Sequence, residues 1–177
     1  MINNDSKNDI KDAELRLIVN IEKQTLSVYQ HDKEISRYDI STAKNGIGSQ
    51  QDSGCTPLGA HIIAQKIGGE HSINTVFIGR VPTGEIYSEV LGQKYPERDW
   101  ILSRILWLAG LEEGSNKGNN EQGGCDTYQR YIYIHGTPDS EPMNTPRSHG
   151  CVRMRNHDII ELFGQVKEGT AVHIIAR

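Results

Sequence analysis

A histidine, His135, closes the apolar and aromatic run Tyr131 to His135, and a cysteine, Cys151, follows sixteen residues later. The run reads as a strand that ends on the histidine. A loop holding Pro138, Pro142 and Pro146 follows and returns through Ser148-His149-Gly150. A thiol and an imidazole brought together by a loop are the parts of cysteine-nucleophile catalysis. The thiolate is the attacking species, so an imidazole must take the thiol proton and later return it to the leaving amine. An activated thiolate of this kind would label at one cysteine below pH 7. Gly150 permits a tight turn, which would aim the N–H groups of Gly150 and Cys151 at a developing oxyanion. Arg153 stands two residues past the cysteine. In extended chain both side chains project to one side, where a guanidinium suits a substrate carboxylate.

Other chemistry can be built from the same residues. His135, His149, Cys151 and His157 are four possible zinc ligands. Their spacing lacks a paired Cys-x-x-Cys or His-x-x-x-His frame, so catalysis is preferred and no metal or other cofactor is expected. For His149, a turn-fixing residue and an oxyanion or substrate contact weigh about equally. For Ser148, a hydrogen bond within the turn outweighs direct chemistry. Arg147 and Arg155 read as solvated, Tyr133 as core, and Arg80 carries no assignment. His31, His61, His71 and His173 read as structural or solvated.

The strand-end His135-Gly136, the proline-bearing loop and Ser148-His149-Gly150-Cys151-Val152-Arg153-Met154 together resemble the YkuD-type L,D-transpeptidase catalytic domain. Cys55-Thr56-Pro57-Leu58-Gly59 is similar to that family's Thr-Pro-x-Gly segment, and the resemblance runs from about Leu15 to Ile175. It implies a mostly β fold, a sandwich or barrel, with a short helix after the catalytic loop. It also implies a reaction. The cysteine attacks the carbonyl at the L-centre of a diamino acid, usually meso-diaminopimelate, in a peptidoglycan tetrapeptide. D-Alanine leaves and a thioester remains. Carried over, Cys151 is the nucleophile and His135 the general base, and the Gly136 carbonyl orients the imidazole. Ser148, His149, Gly150 and Arg153 line the site. Many members have Asn where this chain has Arg153, which puts that substrate contact in doubt.

Two outcomes of the thioester follow from the resemblance. Water gives an L,D-carboxypeptidase, and a second diaminopimelate amine gives an L,D-transpeptidase that forms 3-3 cross-links or attaches proteins to the wall. Hydrolysis of soluble tetrapeptides, free or still linked to sugar or nucleotide, in peptidoglycan recycling is the expectation here. A peptidoglycan-binding module without catalysis is the reading from another class, and the retention of Cys151, His135 and Arg153 weighs against it.

The remaining bounds come from composition. At 177 residues the chain is expected to form one domain at 15–177, after a polar lead-in at 1–14. The net charge is −4 with no basic run, which argues against nucleic acid as a partner. No apolar stretch approaches the roughly 20 residues that a membrane span needs. The acidic first fourteen residues show no signal-peptide pattern, so a cytoplasmic location is expected. Three cysteines, Cys55, Cys125 and Cys151, do not suit a disulfide framework. The oligomeric state is left open.

The elements that must position the site follow from periodicity. Alternating residues predict strands at Leu15–Ile21, Thr25–Gln30 and Glu34–Ser41, an antiparallel meander. Further strands are expected at Ala60–Ile67, Thr75–Arg80 and Thr170–Ala176. Val81-Pro82-Thr83-Gly84 reads as a turn and Glu85 to Glu97 as irregular. By spacing Trp100–Leu111 fits helix or strand, and the family resemblance implies a strand. Glu112–Gly124, rich in Gly and Asn, reads as a flexible loop, a lid or a plain connector in equal measure. Asn156 is expected to cap a helix whose apolar face is Ile159, Ile160, Leu162 and Phe163.

Overall fold

A computed structural model describes residues 14–177. The lead-in expected at 1–14 therefore lies almost wholly outside the described residues. The elements are β1 (Leu15–Asn20), β2 (Thr25–Gln30), β3 (Lys33–Ser41), β4 (Gly59–Ile67), β5 (Thr75–Ile78) and β6 (Val81–Ile86). Then come α1 (Glu89–Lys94), β7 (Ile101–Gly110), β8 (Asn119–Asn120), β9 (Gly123–Gly124) and β10 (Tyr133–Thr137). The chain ends with β11 (Val152–Arg155), α2 (Asn156–Gln165) and β12 (Ala171–Ile175).

The strands close on themselves. The order runs β10-β11-β3-β2-β1-β12-β4-β7, and β7 pairs back with β10. Closure removes the free edges that an open sheet would expose. The β1–β2–β3 meander is antiparallel as the alternation predicts. Two neighbours are parallel, β1 with β12 and β10 with β11. The β5–β6 hairpin extends the sheet beyond β7.

Alternation along each strand divides inside from outside. Leu17 and Val19, Leu26 and Val28, Leu106 and Leu108, Ile134, Val152 and Met154, and Val172 and Ile174 point into one buried core. From α2, Ile159 and Leu162 join it. Each large side chain so buried contributes roughly 1.5–3 kcal/mol. The intervening residues of β7 and β10 face outward. There Phe77, Ile105, Trp107 and Tyr133 form a second cluster, and Cys151 packs against it.

Several sequence expectations are corrected. Val81–Ile86 is strand β6; the turn falls earlier, at Gly79-Arg80, where both residues have positive φ. Pro82 is tolerated there because β6 ends the strand order. The stretch 85–97 holds a short helix, α1, with Ser88 as N-cap accepting from the Leu91 N–H. The strand expected at 131–135 runs from 133 to 137, so His135 lies mid-strand. Asn156 does not cap α2 but begins it; Arg155 is the N-cap and makes no side-chain cap bond. The amide of Asn156 is instead buried between strands, donating to Thr137 O and Asn74 Oδ1 and accepting from Ser103 Oγ. The segment 112–124 is pinned: Asn116 is fully buried and donates to the carbonyls of Leu58 and Ala60.

Candidate active site

The β10–β11 register sets His135 beside Arg153 and Ile134 beside Val152. One step earlier, Cys151 lies next to Tyr133. Because Ile134 and Val152 point inward, His135, Arg153, Tyr133 and Cys151 share the outward face. The His135-Gly136 pair has a packing reason. A Cβ on Gly136 would lie 2.5 Å from both Leu102 O and Asn156 Oδ1, so only glycine lets β10 approach β7 and α2 here.

The turn before β11 is closed by side-chain bonds. Gly150 has φ 135°, and a Cβ there would press on Ile132 at 3.0 Å. Ser148 Oγ donates to Cys151 O at 2.5 Å and accepts from Gly150 N–H at 3.2 Å. That Gly150 N–H is therefore spent inside the turn, and the oxyanion role read for it does not hold in this arrangement. Thr56, fully buried, donates to Gly150 O at 2.9 Å and accepts from Ala43 N–H at 3.1 Å. The Thr-Pro-x-Gly segment thus fastens the turn that carries the cysteine.

The Cys151 Sγ accepts from Tyr133 N–H at 3.3 Å and donates to Tyr131 O at 3.4 Å. Among the described residues it makes no hydrogen bond to His135. Tyr131 presents its carbonyl from a left-handed backbone, φ 56°, which is uncommon for a bulky residue. Cys151 retains some exposure, but burial around its sulfur pushes the thiol up to about 12. The Tyr133 N–H, Arg153 and Arg130 oppose that rise without cancelling it. That shift favours a neutral thiol at rest over the acidic thiolate read from the sequence.

His135 is buried, and its Nδ1 lies 2.7 Å from Gly136 O. A carbonyl can only accept, so Nδ1 carries the proton and Nε2 offers a lone pair. Burial holds the imidazole below its ordinary pKa, against the pull of the Asp99 charge and the Gly136 carbonyl.

Arg153 is buried but already paired. Its Nη2 lies 2.7 Å from Asp99 Oδ1 and its Nη1 3.5 Å from Glu141 Oε2. Its buried Nε has no partner among the described residues. The exposed His149 directs Nδ1 to Asp99 Oδ2 at 3.2 Å. Burial pushes the Asp99 carboxyl up, but His135, Arg153 and His149 together outweigh it and hold it below its ordinary value. Asp99 therefore joins three of the residues singled out in the sequence. It was missed because it stands between Arg98 and Trp100 in a stretch with no periodicity and no motif. Arg155, Arg147 and His157 are exposed. Among the described residues, no group of three His, Cys, Asp or Glu is placed to hold a metal ion.

A family model, the L,D-transpeptidase catalytic domain (YkuD), matches residues 14–174. The chain belongs to this family. Solved structures agree in fold. An L,D-transpeptidase from Mycobacterium smegmatis superposes with a TM-score of 0.54 at 16% identity, over 93% of this chain and 59% of that one. A Bdellovibrio bacteriovorus protein gives 0.57 at 18% identity, over 93% of this chain and 48% of that one. L,D-transpeptidase 3 of Mycobacterium tuberculosis, in complex with a faropenem-derived adduct, gives 0.52 at 15%, over 90% and 59%. The chain spans three fifths or less of the length of these three structures. No curated protein matches it. Within the YkuD frame, His135 and Arg153 are paired on the outward face of the parallel strands β10 and β11, and Ser148 to Cys151 form the turn that leads into β11.

Proposed function

We propose that the chain is a cysteine acyltransferase acting on the L,D bond between a diamino acid and D-alanine in peptidoglycan tetrapeptides. The observation that carries this reading is the shared face of Cys151 and His135, with His135 Nδ1 fixed on Gly136 O. Nε2 is then the base. It takes the Cys151 proton as sulfur adds to the peptide carbonyl, and returns it to the D-alanine nitrogen as the C–N bond breaks. A thioester at Cys151 and free D-alanine result. With burial favouring the neutral thiol, His135 takes the proton in the step of attack, and the thiol turns from Tyr131 O towards the imidazole.

The second half of the reaction reverses the roles. Nε2 deprotonates the acceptor, which attacks the thioester and frees the thiol. Water as acceptor makes the chain an L,D-carboxypeptidase. An amine makes it a transpeptidase, an outcome that family membership supports. Incubation with a soluble meso-diaminopimelate tetrapeptide, read by mass, tests both halves. A thioester adduct absent from Cys151→Ala supports the acyl-enzyme. Tripeptide with D-alanine marks hydrolysis, and a linked dimer marks transfer. Turnover that survives in Cys151→Ala overturns the proposal.

A further inference from the structure

The hairpin turn Gly79-Arg80 sets a guanidinium on the aromatic cluster against which Cys151 packs. Both residues are left-handed, with φ 54° and 67°. That is the requirement of a two-residue hairpin turn, but arginine is an unusual residue to meet it. Arg80 lies over the Trp107 ring at 4.6 Å and over the Tyr131 ring at 4.7 Å. Its Nη1 donates to Tyr133 Oη at 2.9 Å. Trp107 is itself braced by Tyr128, stacked at 3.9 Å. The platform is continuous with the thiol, because Tyr131 and Tyr133 are the two residues whose backbones hold the Cys151 Sγ.

The charge of Arg80 is uncommitted. Among the described residues it has no carboxylate partner, and Tyr133 is its one hydrogen-bond partner. The other arginines near the thiol are spent. Arg153 is shared by Asp99 and Glu141. Arg130 donates to Gly48 O, Ser53 Oγ and Cys55 O. A guanidinium held over aromatic rings has further N–H groups to offer, and such a fork can match a carboxylate bidentately.

We propose that Arg80 binds a carboxylate of the donor peptide, next to the bond that Cys151 attacks. The role first read for Arg153 thereby passes to Arg80. The inference rests on the peptide reading above. The carboxylate has two possible sources, the departing D-alanine or the acyl-side peptide, and both present the same chemistry to the arginine.

The test compares three peptides: the tetrapeptide, its C-terminal carboxamide, and the tetrapeptide amidated at its acyl-side carboxylates. Each is turned over by the wild type, Arg80→Gln and Arg80→Lys, and KM and kcat are measured separately. Arg80→Gln is expected to raise KM for the tetrapeptide roughly tenfold to a hundredfold, with kcat changed little. Arg80→Lys is expected to recover part of the loss, since it keeps the charge without the fork. The penalty should vanish for one of the two amidated peptides, and that peptide names the source. An active wild type with no KM penalty in Arg80→Gln, or with equal penalties on all three peptides in both variants, overturns the role of Arg80 alone. A wild type inert to all three overturns the peptide reading, and this proposal with it.

Discussion

Asp99 Oδ1 lies 2.7 Å from Arg153 Nη2, and Arg153 is the register partner of His135. One carboxylate thus neutralises the arginine and also acts on the imidazole, whose protonation its charge favours. In the proposed mechanism His135 becomes an imidazolium as sulfur attacks, and Asp99 stabilises it. Asp99→Asn removes that charge while keeping the shape. It also leaves the Arg153 charge, which disfavours the imidazolium, less compensated.

Asp99→Asn is therefore expected to lower kcat by roughly tenfold, less than the ~10²–10⁴-fold that loss of a general base itself costs. The acid limb of the kcat/KM profile should shift to lower pH, because the neutral imidazole becomes easier to keep. Steady-state rates from pH 4 to 8 check both. An acid limb that stays in place would show that Asp99 acts only on Arg153.

The thiol of Cys151 makes a prediction of opposite sign to that of an activated cysteine. With burial pushing its value up to about 12, very little of the Cys151 thiol is thiolate at pH 7. Iodoacetamide at pH 7 should modify Cys55, which is partly exposed, well before Cys151. A substrate or β-lactam that engages His135 should still acylate Cys151. Peptide mapping after brief alkylation decides it. Rapid labelling of Cys151 at or below pH 7 would show that the resting group is a thiolate after all.

Much of the barrel was legible because its strands alternate. Leu17 with Val19 and Val172 with Ile174 declare an inward face, and the run 100–111 resolves to strand because Ile105 and Trp107 pack outward while Leu106 and Leu108 pack inward. What alternation does not encode was misread. Val81-Pro82-Thr83-Gly84 has the residues of a turn, yet the preceding Gly79-Arg80 turns first and leaves Pro82 in a terminal strand. Asn156 has the type of a cap, but its partners Asn74, Ser103 and Thr137 come from three distant places in the chain. The same holds for the candidate site. His135, Cys151 and the turn between them are local motifs. Asp99 reaches Arg153 and His149, and Arg80 reaches Tyr131 and Tyr133, only through closure of β7 against β10 and through the β5–β6 hairpin.

Thr56 offers a test of how far the turn depends on its fastening. Its hydroxyl joins Ala43 N–H and Gly150 O in a fully buried position. Thr56→Val keeps the volume and removes both bonds, leaving two buried backbone groups without this partner. The cost should be about 2 kcal/mol or more. Thr56→Ser keeps the hydroxyl and loses a methyl, about 1 kcal/mol. Turnover should follow the hydroxyl, falling well below wild type in Val and recovering in Ser. Urea unfolding and kcat on the same variants check this. Equal activity in Val and Ser would mean that Ser148 alone holds the cysteine.

His61 links stability to pH away from the reaction. It is buried in β4, with Nδ1 3.0 Å from Gly59 O and Nε2 3.0 Å from Thr127 Oγ1. The carbonyl fixes a proton on Nδ1, and the Thr127 hydroxyl, whose one proton also faces Asn116 O at 2.9 Å, lies against Nε2. Burial lowers its pKa to about 4; His173 nearby acts in the same direction, while the Gly59 carbonyl and the Glu112 charge oppose it. The unfolded chain, with an ordinary histidine near 6.5, binds the proton first as pH falls. The neutral ring's contribution is therefore complete above pH 6.5 and is lost as pH drops from there to about 4. The difference of 2.5 units corresponds to about 3 kcal/mol. His61→Gln removes this titration. The variant should be less stable than wild type at pH 7, and the gap should close towards pH 4. Urea midpoints at pH 7, 5.5 and 4.5 measure it, and a gap that stays constant with pH would show that His61 does not titrate on unfolding.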